Sequence, residues 1–240
     1  MIEINALESE RFGIVAGRVR DPRASVQLLN SAAEALGIQM LTVRLNCADH
    51  AQIHAVEASD FRLMDTLVYY ERSLSQPLPE ILPSGGSVIR PARPEDANSV
   101  GEIAGAAFSN YIGHFHADPR LKAADADGAY IDWARNSVLG QSDLDEAWVV
   151  TQDGRLGGFL TLRRNDQSES EIILNAVHPD LQRRGLYERL LQQAFLSGQK
   201  SGAERLIVST QLNNFPVQRA WAKTGFRLTK ALHTFHKWYF

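Results

Sequence analysis

Residues 41–70 (LTVRLNCADHAQIHAVEASDFRLMDTLVYY) lie on residues 206–235 (LIVSTQLNNFPVQRAWAKTGFRLTKALHTF) without a gap, at an offset of 165. Identities fall at Leu41/Leu206, Val43/Val208, Ala55/Ala220, Phe61/Phe226, Arg62/Arg227, Leu63/Leu228 and Leu67/Leu232. Both copies read as strand, loop, short helix, tight turn and strand. Self-similarity at a fixed offset means that one supersecondary unit is used twice. The chain is therefore expected to hold two related α/β lobes. The break between them is PLPEILPSGG, with three prolines and two glycines in ten residues, a linker composition. This gives a smaller lobe over residues 1–76, a linker over 77–86 and a larger lobe over 87–240.

Composition excludes several classes. The chain has 240 residues, 44% of them hydrophobic and 22% charged, ordinary for a globular protein with a real core. Its net charge is −3, and a general nucleic-acid binder should be basic. No run approaches 18 apolar residues, so no membrane-spanning helix is expected. The start, MIEINALESERFG, has no basic segment followed by an apolar one, so no secretory signal is read. Cys47 is the single cysteine, which excludes an internal disulfide framework and fits a reducing cytoplasm.

In the smaller lobe, the apolar pattern predicts a strand at Phe12–Val19 and a helix at Ala24–Leu36 stopped by Gly37. A strand at Leu41–Leu45, a helix at Asp49–Ala58 and a strand at Arg62–Arg72 follow. In the larger lobe, strands are expected at Ser87–Pro91, Ala147–Thr151, Gly157–Arg164, Ser170–Val177 and Arg205–Thr210. A final pair is read as Phe226–Ala231 and Thr234–Phe240. Helices are expected at Asp96–Phe108, Asp127–Ser137, Gln182–Ser201 and Phe215–Lys223, with 109–124 irregular. Hairpins mix with crossovers, so the fold class is α/β (α+β), with a mixed, mostly antiparallel sheet flanked by helices.

The segment Val177-His178-Pro179-Asp180-Leu181-Gln182-Arg183-Arg184-Gly185-Leu186-Tyr187 ends a strand and opens a long helix. A helix start offers unpaired N–H groups and partial positive charge. Gly185 lets an anion approach the backbone, and Arg183 and Arg184 add charge. An ordinary strand-to-helix turn would read the same way.

This run resembles the acyl-CoA signature Q/R-x-x-G-x-G/A of the GNAT N-acetyltransferases. IRPARPEDA (89–97) is similar to their first strand and helix, and Asn214, Gly225 and Phe226 to their closing N…GF pattern. The resemblance spans residues 87–240 and implies a GNAT domain preceded by a GNAT-like half lobe. It implies acetyl-CoA, or another short acyl-CoA, as co-substrate, with no metal. Ala176 and Val177 would hold the pantetheine and thioester end, and Gln182, Arg183, Arg184, Gly185, Leu186 and Tyr187 the pyrophosphate, with Asn214 nearby. Tyr187 departs from the motif's usual small residue, so only its backbone is expected to contact the cofactor.

Phe115-His116-Ala117-Asp118-Pro119, followed by Tyr130-Ile131-Asp132-Trp133, is similar to a stretch in the TDP-4-amino-4,6-dideoxy-sugar (TDP-fucosamine) N-acetyltransferase branch. So are Thr210-Gln211-Leu212-Asn213-Asn214 and the smaller leading lobe. That resemblance implies transfer to the amine of a nucleotide-linked amino sugar, with His116, Asp118 and Tyr130 on the acceptor. Two alternatives stay open: an amino acid, peptide or antibiotic amine as acceptor, or an acyl-CoA-binding protein without catalysis.

Attack on a thioester needs a neutral amine, hence a base. Alternation puts Glu171, Ile173, Asn175 and Val177 on one strand face, and Glu171 is the preferred base. A solvated glutamate beside Glu169 is the plain reading. His116 is the rival, with an ordinary pKa near 6.5; a histidine that only binds substrate or caps a helix is its plain counterpart. His114, His116 and Asp118 would make a weak metal set, and His50 and His54 a solvated helix face. Trp221 stands where the resemblance implies a tyrosine that protonates the departing thiolate. Tyr187, His233 or water are the possible substitutes. The role of the smaller lobe stays open between packing on the sheet, shaping the acceptor pocket and forming a homodimer.

Overall fold

The computed structural model describes residues 2–77, 85–109, 111–141 and 145–239. The expected linker thus lies largely outside the described residues. Strands β1 (Ile2–Ile4), β2 (Ala16–Val19), β3 (Met40–Asn46) and β4 (Arg62–Ser73) alternate with helices α1 (Ala6–Phe12), α2 (Val26–Ala35) and α3 (His50–Glu57). Then come β5 (Ser87–Pro91), α4 (Ala97–Phe108), α5 (His114–Ala117), α6 (Ala123–Val138), β6 (Glu146–Gln152), β7 (Arg155–Arg164) and β8 (Glu169–Val177). The chain continues through α7 (Leu186–Lys200), β9 (Arg205–Gln211), α8 (Phe215–Lys223) and β10 (Arg227–Trp238). Among the described residues ten strands form one sheet in the order β1-β2-β3-β10-β4-β9-β8-β7-β6-β5. Only β2–β3 and β8–β9 are parallel, so the mixed, mostly antiparallel sheet expected from the sequence is found. Among the described residues no helix is long and apolar enough to cross a membrane.

The repeat is written into the sheet register. Leu67 on β4 pairs with Leu232 on β10, and its flanks pair reciprocally, Thr66 with His233 and Val68 with Ala231. The outer pairings obey the same offset: Leu67 faces Gln211 on β9 while Leu232 faces Asn46 on β3. A local two-fold axis therefore passes through the Leu67–Leu232 pair. Each copy's last strand lies against the other copy's first strand, so the copies have exchanged strands.

That exchange explains the main departure from the sequence reading. The last segment is one twelve-residue strand, not a strand pair. Its partners on both edges hold it extended, with bulges near Thr229 and Thr234. The first copy carried the signal, since Arg62–Arg72 reads as one strand. The other departure is at the N-terminus. Phe12 ends α1, and the left-handed Gly13 (φ 65°) stops that helix. The Asn5 side chain caps the α1 start by accepting from the Glu8 amide at 3.2 Å. The strand expected from Phe12 begins only at Ala16.

Three clusters fill the layers. Leu186, Leu190, Leu191, Ala194 and Phe195 of α7 lie against Leu160, Ile172, Leu206 and Val208. This is the apolar stripe visible in the sequence. Leu29 and Ala33 of α2 cover Leu41, Val43, Leu45 and Phe235. On the opposite face of the sheet, Val100, Ile103 and Ala104 of α4 cover Val149, Phe159 and Leu174.

Because Val43, Leu45 and Phe235 point to the α2 side, strand alternation sends Thr42, Arg44, Thr234 and His236 to the other face. That face is polar. Its buried Glu8 Oε2, Arg18 Nε, Thr42 Oγ1, Arg44 Nε, Asp65 Oδ1, Gln211 Oε1 and Thr234 Oγ1 have no hydrogen-bond partner.

Candidate active site

Parallel pairing of β8 with β9 stops at Ile172–Val208, yet β8 runs on to Val177 and β9 to Gln211. A register shift against β7 in the stretch Ile172–Leu174 bends β8 at the same level. The two strands thus splay. The backbone of Ile173–Val177 has no partner strand on its β9 side, which leaves an edge that a linear amide ligand can pair with. Gly158 allows the other edge of β8 to come close: a Cβ there would lie 2.8 Å from the Ala176 carbonyl oxygen.

Beyond Val177, the Gln182 side chain donates to the Val177 carbonyl at 3.3 Å. Positive φ at Arg183 (61°) and Gly185 (75°) turns the backbone into α7. Among the described residues, the amides of Arg183 through Glu188 make no backbone hydrogen bond. Together they form a concave set of donors at the positive end of a fifteen-residue helix. Arg183 and Arg184 are exposed beside it. The equivalent helix start in the first copy is closed by its own Ser25, whose Oγ accepts from the Leu28 amide.

A cavity of about 1390 Å³ opens on this turn and reaches the polar face of the first strands. It exceeds the roughly 300–1,000 Å³ of a single small-ligand pocket. Ala176, Val177, Gln182, Arg183, Gly185, Leu186, Tyr187 and Asn214 line one end. Arg184 does not line it. Arg18, Arg20 and Arg44 line the other end, with Glu171, Tyr111, His114 and Tyr130 between.

Glu171 lines the cavity, but the bulge between Ile172 and Leu174 breaks the expected alternation, since Ile172 packs under α7 and Leu174 and Ala176 under α4. Its Oε2 already accepts from Arg163 at 3.0 Å and from Asn165 at 2.9 Å. The structure corrects the reading of His116 and Asp118 as acceptor contacts. Neither lines the cavity. His116 Nε2 bonds Asp127 at 3.0 Å and its Nδ1 accepts from the Gly113 amide, so both ring nitrogens are occupied. Asp118 is 2% exposed. It accepts from His236 at 2.8 Å, the Trp238 indole at 2.9 Å and the Arg120 amide at 3.1 Å. Burial alone would raise its carboxyl; these hydrogen bonds outweigh burial and hold it below the ordinary value.

His114, by contrast, lines the cavity. Its Nδ1 lies 2.9 Å from His236 Nε2. Burial, then His236, Arg44, Arg18 and His116, lower its pKa well below that of a free histidine. Sequence reasoning saw His114 only as a weak metal ligand and missed His236, Arg18 and Arg44. The available signal was polar residues at the inward positions of otherwise apolar strands.

Tyr130 sits in the cavity wall, tilted against Phe108 and edge-on to Tyr111. Burial raises its phenol, and pushes Tyr111 up to about 12. Tyr187 points inward, where its hydroxyl accepts the Trp221 indole N–H at 2.8 Å. Burial raises the Tyr187 phenol, so it stays protonated. Asn214 starts α8 and donates to the Thr210 hydroxyl at 3.0 Å.

The sequence profile of the acetyltransferase (GNAT) family matches residues 99–226. A spore coat polysaccharide biosynthesis protein, SpsD, of Bacillus subtilis (strain 168) is 25% identical over 149 residues, 62% of this chain. The match spans half of that relative's length. Among solved structures, a GCN5-related N-acetyltransferase from Sphaerobacter thermophilus superposes with a TM-score of 0.68 at 14% identity. The superposition covers 99% of this chain and 76% of the other. A tandem GNAT protein from the clavulanic acid biosynthesis pathway gives 0.64 at 15% identity, over 93% of this chain and 75% of the other. At these identities the superpositions speak for the fold.

Proposed function

Because the chain belongs to the acetyltransferase (GNAT) family, we propose that it moves an acetyl or short acyl group from CoA to the amine of a nucleotide-linked amino sugar. Acyl-CoA would supply a thioester carbonyl as electrophile. The unpaired amides of Arg183–Glu188 suit its pyrophosphate, and the free edge of Ile173–Val177 suits its pantetheine amides. In this reading residues 1–76 form a lobe that builds the acceptor wall.

One observation carries the choice of acceptor. A single cavity joins that anion-binding turn to a second cationic end, Arg18 and Arg44. Arg18 is shared with Glu8 at 2.9 Å, and Arg44 has no ion-pair partner among the described residues. Buried polar atoms without partners flank both, and such atoms are complemented by a polar ligand. A nucleotide sugar has the matching shape: a diphosphate for the arginines and an amine toward the reacting end. The polysaccharide-related name of the Bacillus subtilis relative supports a sugar-class acceptor.

The residues divide the remaining work. Tyr187 keeps its proton and receives the Trp221 N–H, so its own O–H is free to be given to a departing sulfur. The missing tyrosine at position 221 is thereby offset from the first turn of α7.

The test follows free thiol with acetyl-CoA and a panel of acceptors: TDP-4-amino-4,6-dideoxyhexoses, amino acids, a peptide and an aminoglycoside. Turnover with the nucleotide sugars is expected. Arg44→Ala is expected to raise their KM at least tenfold and leave acetyl-CoA affinity unchanged. Turnover confined to amino acids or peptides, or an Arg44→Ala enzyme with unchanged KM, would overturn the nucleotide-sugar reading.

A further inference from the structure

Asp118, His236 and His114 form a line of hydrogen bonds from the protein interior to the cavity wall. His236 is 1% exposed and His114 is 6% exposed. The distances are 2.8 Å from Asp118 Oδ2 to His236 Nδ1 and 2.9 Å from His236 Nε2 to His114 Nδ1. An ionised carboxylate only accepts. With the His236 ring neutral, its proton therefore sits on Nδ1, which leaves a lone pair on Nε2. That lone pair needs a donor, so His114 carries its proton on Nδ1. The tautomers follow from the hydrogen-bond pattern, and they leave the lone pair of His114 on Nε2. Among the described residues no group takes it, and His114 lines the cavity.

We propose that His114 is the general base that takes the proton from the acceptor's ammonium group, with His236 and Asp118 as positioning residues behind it. This rests on the reading of the cavity as the acceptor site of an N-acyltransferase. One N–H bond of the ammonium breaks and one forms at His114 Nε2. The Nδ1 proton of His114 then crosses to His236 Nε2. The positive charge comes to rest on His236 against the Asp118 carboxylate, and the neutral amine keeps the electron pair that attacks the thioester. No other bond changes and no redox partner is needed.

The surroundings fit this task. The charged and titratable groups about His114 are His236 from β10, Arg44 from β3, Arg18 from β2 and His116 from α5 itself. The elements that pack against α5 are β4, which carries Asp65, and α6, which carries Tyr130. The cations and burial hold His114 neutral, hence able to accept. Moving the charge one ring inward places it beside Asp118, which removes the objection that an isolated buried imidazole is a weak base. The rival base, Glu171, is engaged by Arg163 and Asn165.

The test has two arms. In the first, ¹⁵N-imidazole spectra of the free protein at neutral pH are expected to show both His114 and His236 as neutral Nδ1–H tautomers. An Nε2–H or doubly protonated His114 would overturn the proposal, whatever the activity. In the second, His114→Asn keeps a donor for His236 and removes the base. With the best acceptor of the amine panel, kcat should fall about 10²–10⁴-fold with unchanged acetyl-CoA affinity. The deficit should shrink as pH rises toward the acceptor's own pKa, where free amine becomes abundant; a merely structural role would not give that dependence. Asp118→Asn should lower kcat more than it raises the acceptor KM. If His114→Asn retains wild-type kcat at pH 6–7, the inference fails while the N-acyltransferase reading stands. If the enzyme turns over only non-sugar amines and His114→Asn abolishes that turnover, the nucleotide-sugar reading fails and His114 stands.

Discussion

Tyr187→Phe removes one oxygen from the junction of core and cavity. The Tyr187 hydroxyl is the acceptor for the Trp221 indole N–H at 2.8 Å. Trp221 is 1% exposed and is further fixed by the edge of Tyr70 at 5.4 Å, so it cannot turn to find water. A buried donor left without a partner costs about 1–3 kcal/mol. In a chain of this length each kcal/mol lowers Tm by about 2–4 °C, so the drop should be about 2–12 °C by calorimetry. Trp221→Phe removes the other partner. The double variant should then be more stable than the sum of the two losses implies, by at least about 0.5 kcal/mol, as contacting partners couple. Thiol release reads the second role. If the Tyr187 proton goes to the departing sulfur, Tyr187→Phe lowers kcat about 10²–10⁴-fold. The loss should be smaller above pH ~8.5, the ordinary pKa of a thiol, where a thiolate leaves unaided. Additive Tm losses would refute the hydrogen bond as a part of the core. An unchanged kcat would refute Tyr187 as the proton donor.

Other outcomes follow from single contacts. Asp96 accepts from Arg90 at 2.7 and 2.8 Å and from the Arg93 amide at 2.8 Å. The Arg90 hydrogen bond, against the effect of burial, lowers its pKa. This stabilisation is complete above the unfolded value of about 3.9 and is lost as pH falls through the lower folded value. Asp96→Asn should therefore lower Tm at pH 6–7 and converge with wild type in acid, as thermal scans across pH will show. Gly158→Ala would press a methyl group onto the Ala176 carbonyl. It should weaken acetyl-CoA binding at least tenfold by calorimetric titration while the polar end of the cavity keeps its shape. Acidification through pH ~6.5 should also cost stability at His114, because the unfolded chain binds a proton that the folded one resists. A His114→Asn protein should lose that part of the slope.

Much of this was readable from residues because it depends on local rules. The offset of 165 marked the two copies that meet at Leu67 and Leu232, though not that they would pair there, and strict alternation along β8 failed at the bulge after Ile172. Gly185, between two exposed arginines and a leucine stripe, foretold the turn. What escaped reading depends on contacts between distant segments. His116 looked more promising than His114 because it falls within the Phe115–Pro119 stretch that carries the amino-sugar resemblance. Only the packing of α5 against β4 and β10 decides which ring meets the cavity and which is tied to Asp127. Asp118 reads as a loop carboxylate until the exchanged strand brings His236 and Trp238 to it. The same exchange hid the single strand β10, whose twelve residues are extended by partners in the first copy.

Strand exchange also sets an order in time. During synthesis β3 and β4 leave the ribosome long before β10, the strand that must lie between them. At about 5–20 residues per second, the offset of 165 residues corresponds to roughly 10–30 s. Through that interval two edges, including the apolar Leu41, Val43 and Leu45 row, wait without their partner. Unpaired edges invite pairing with other chains, so the nascent protein is exposed to misassociation until β10 arrives. A ribosome-stalled chain ending before Arg227 should be cut by protease throughout residues 40–73. The released full-length chain should resist.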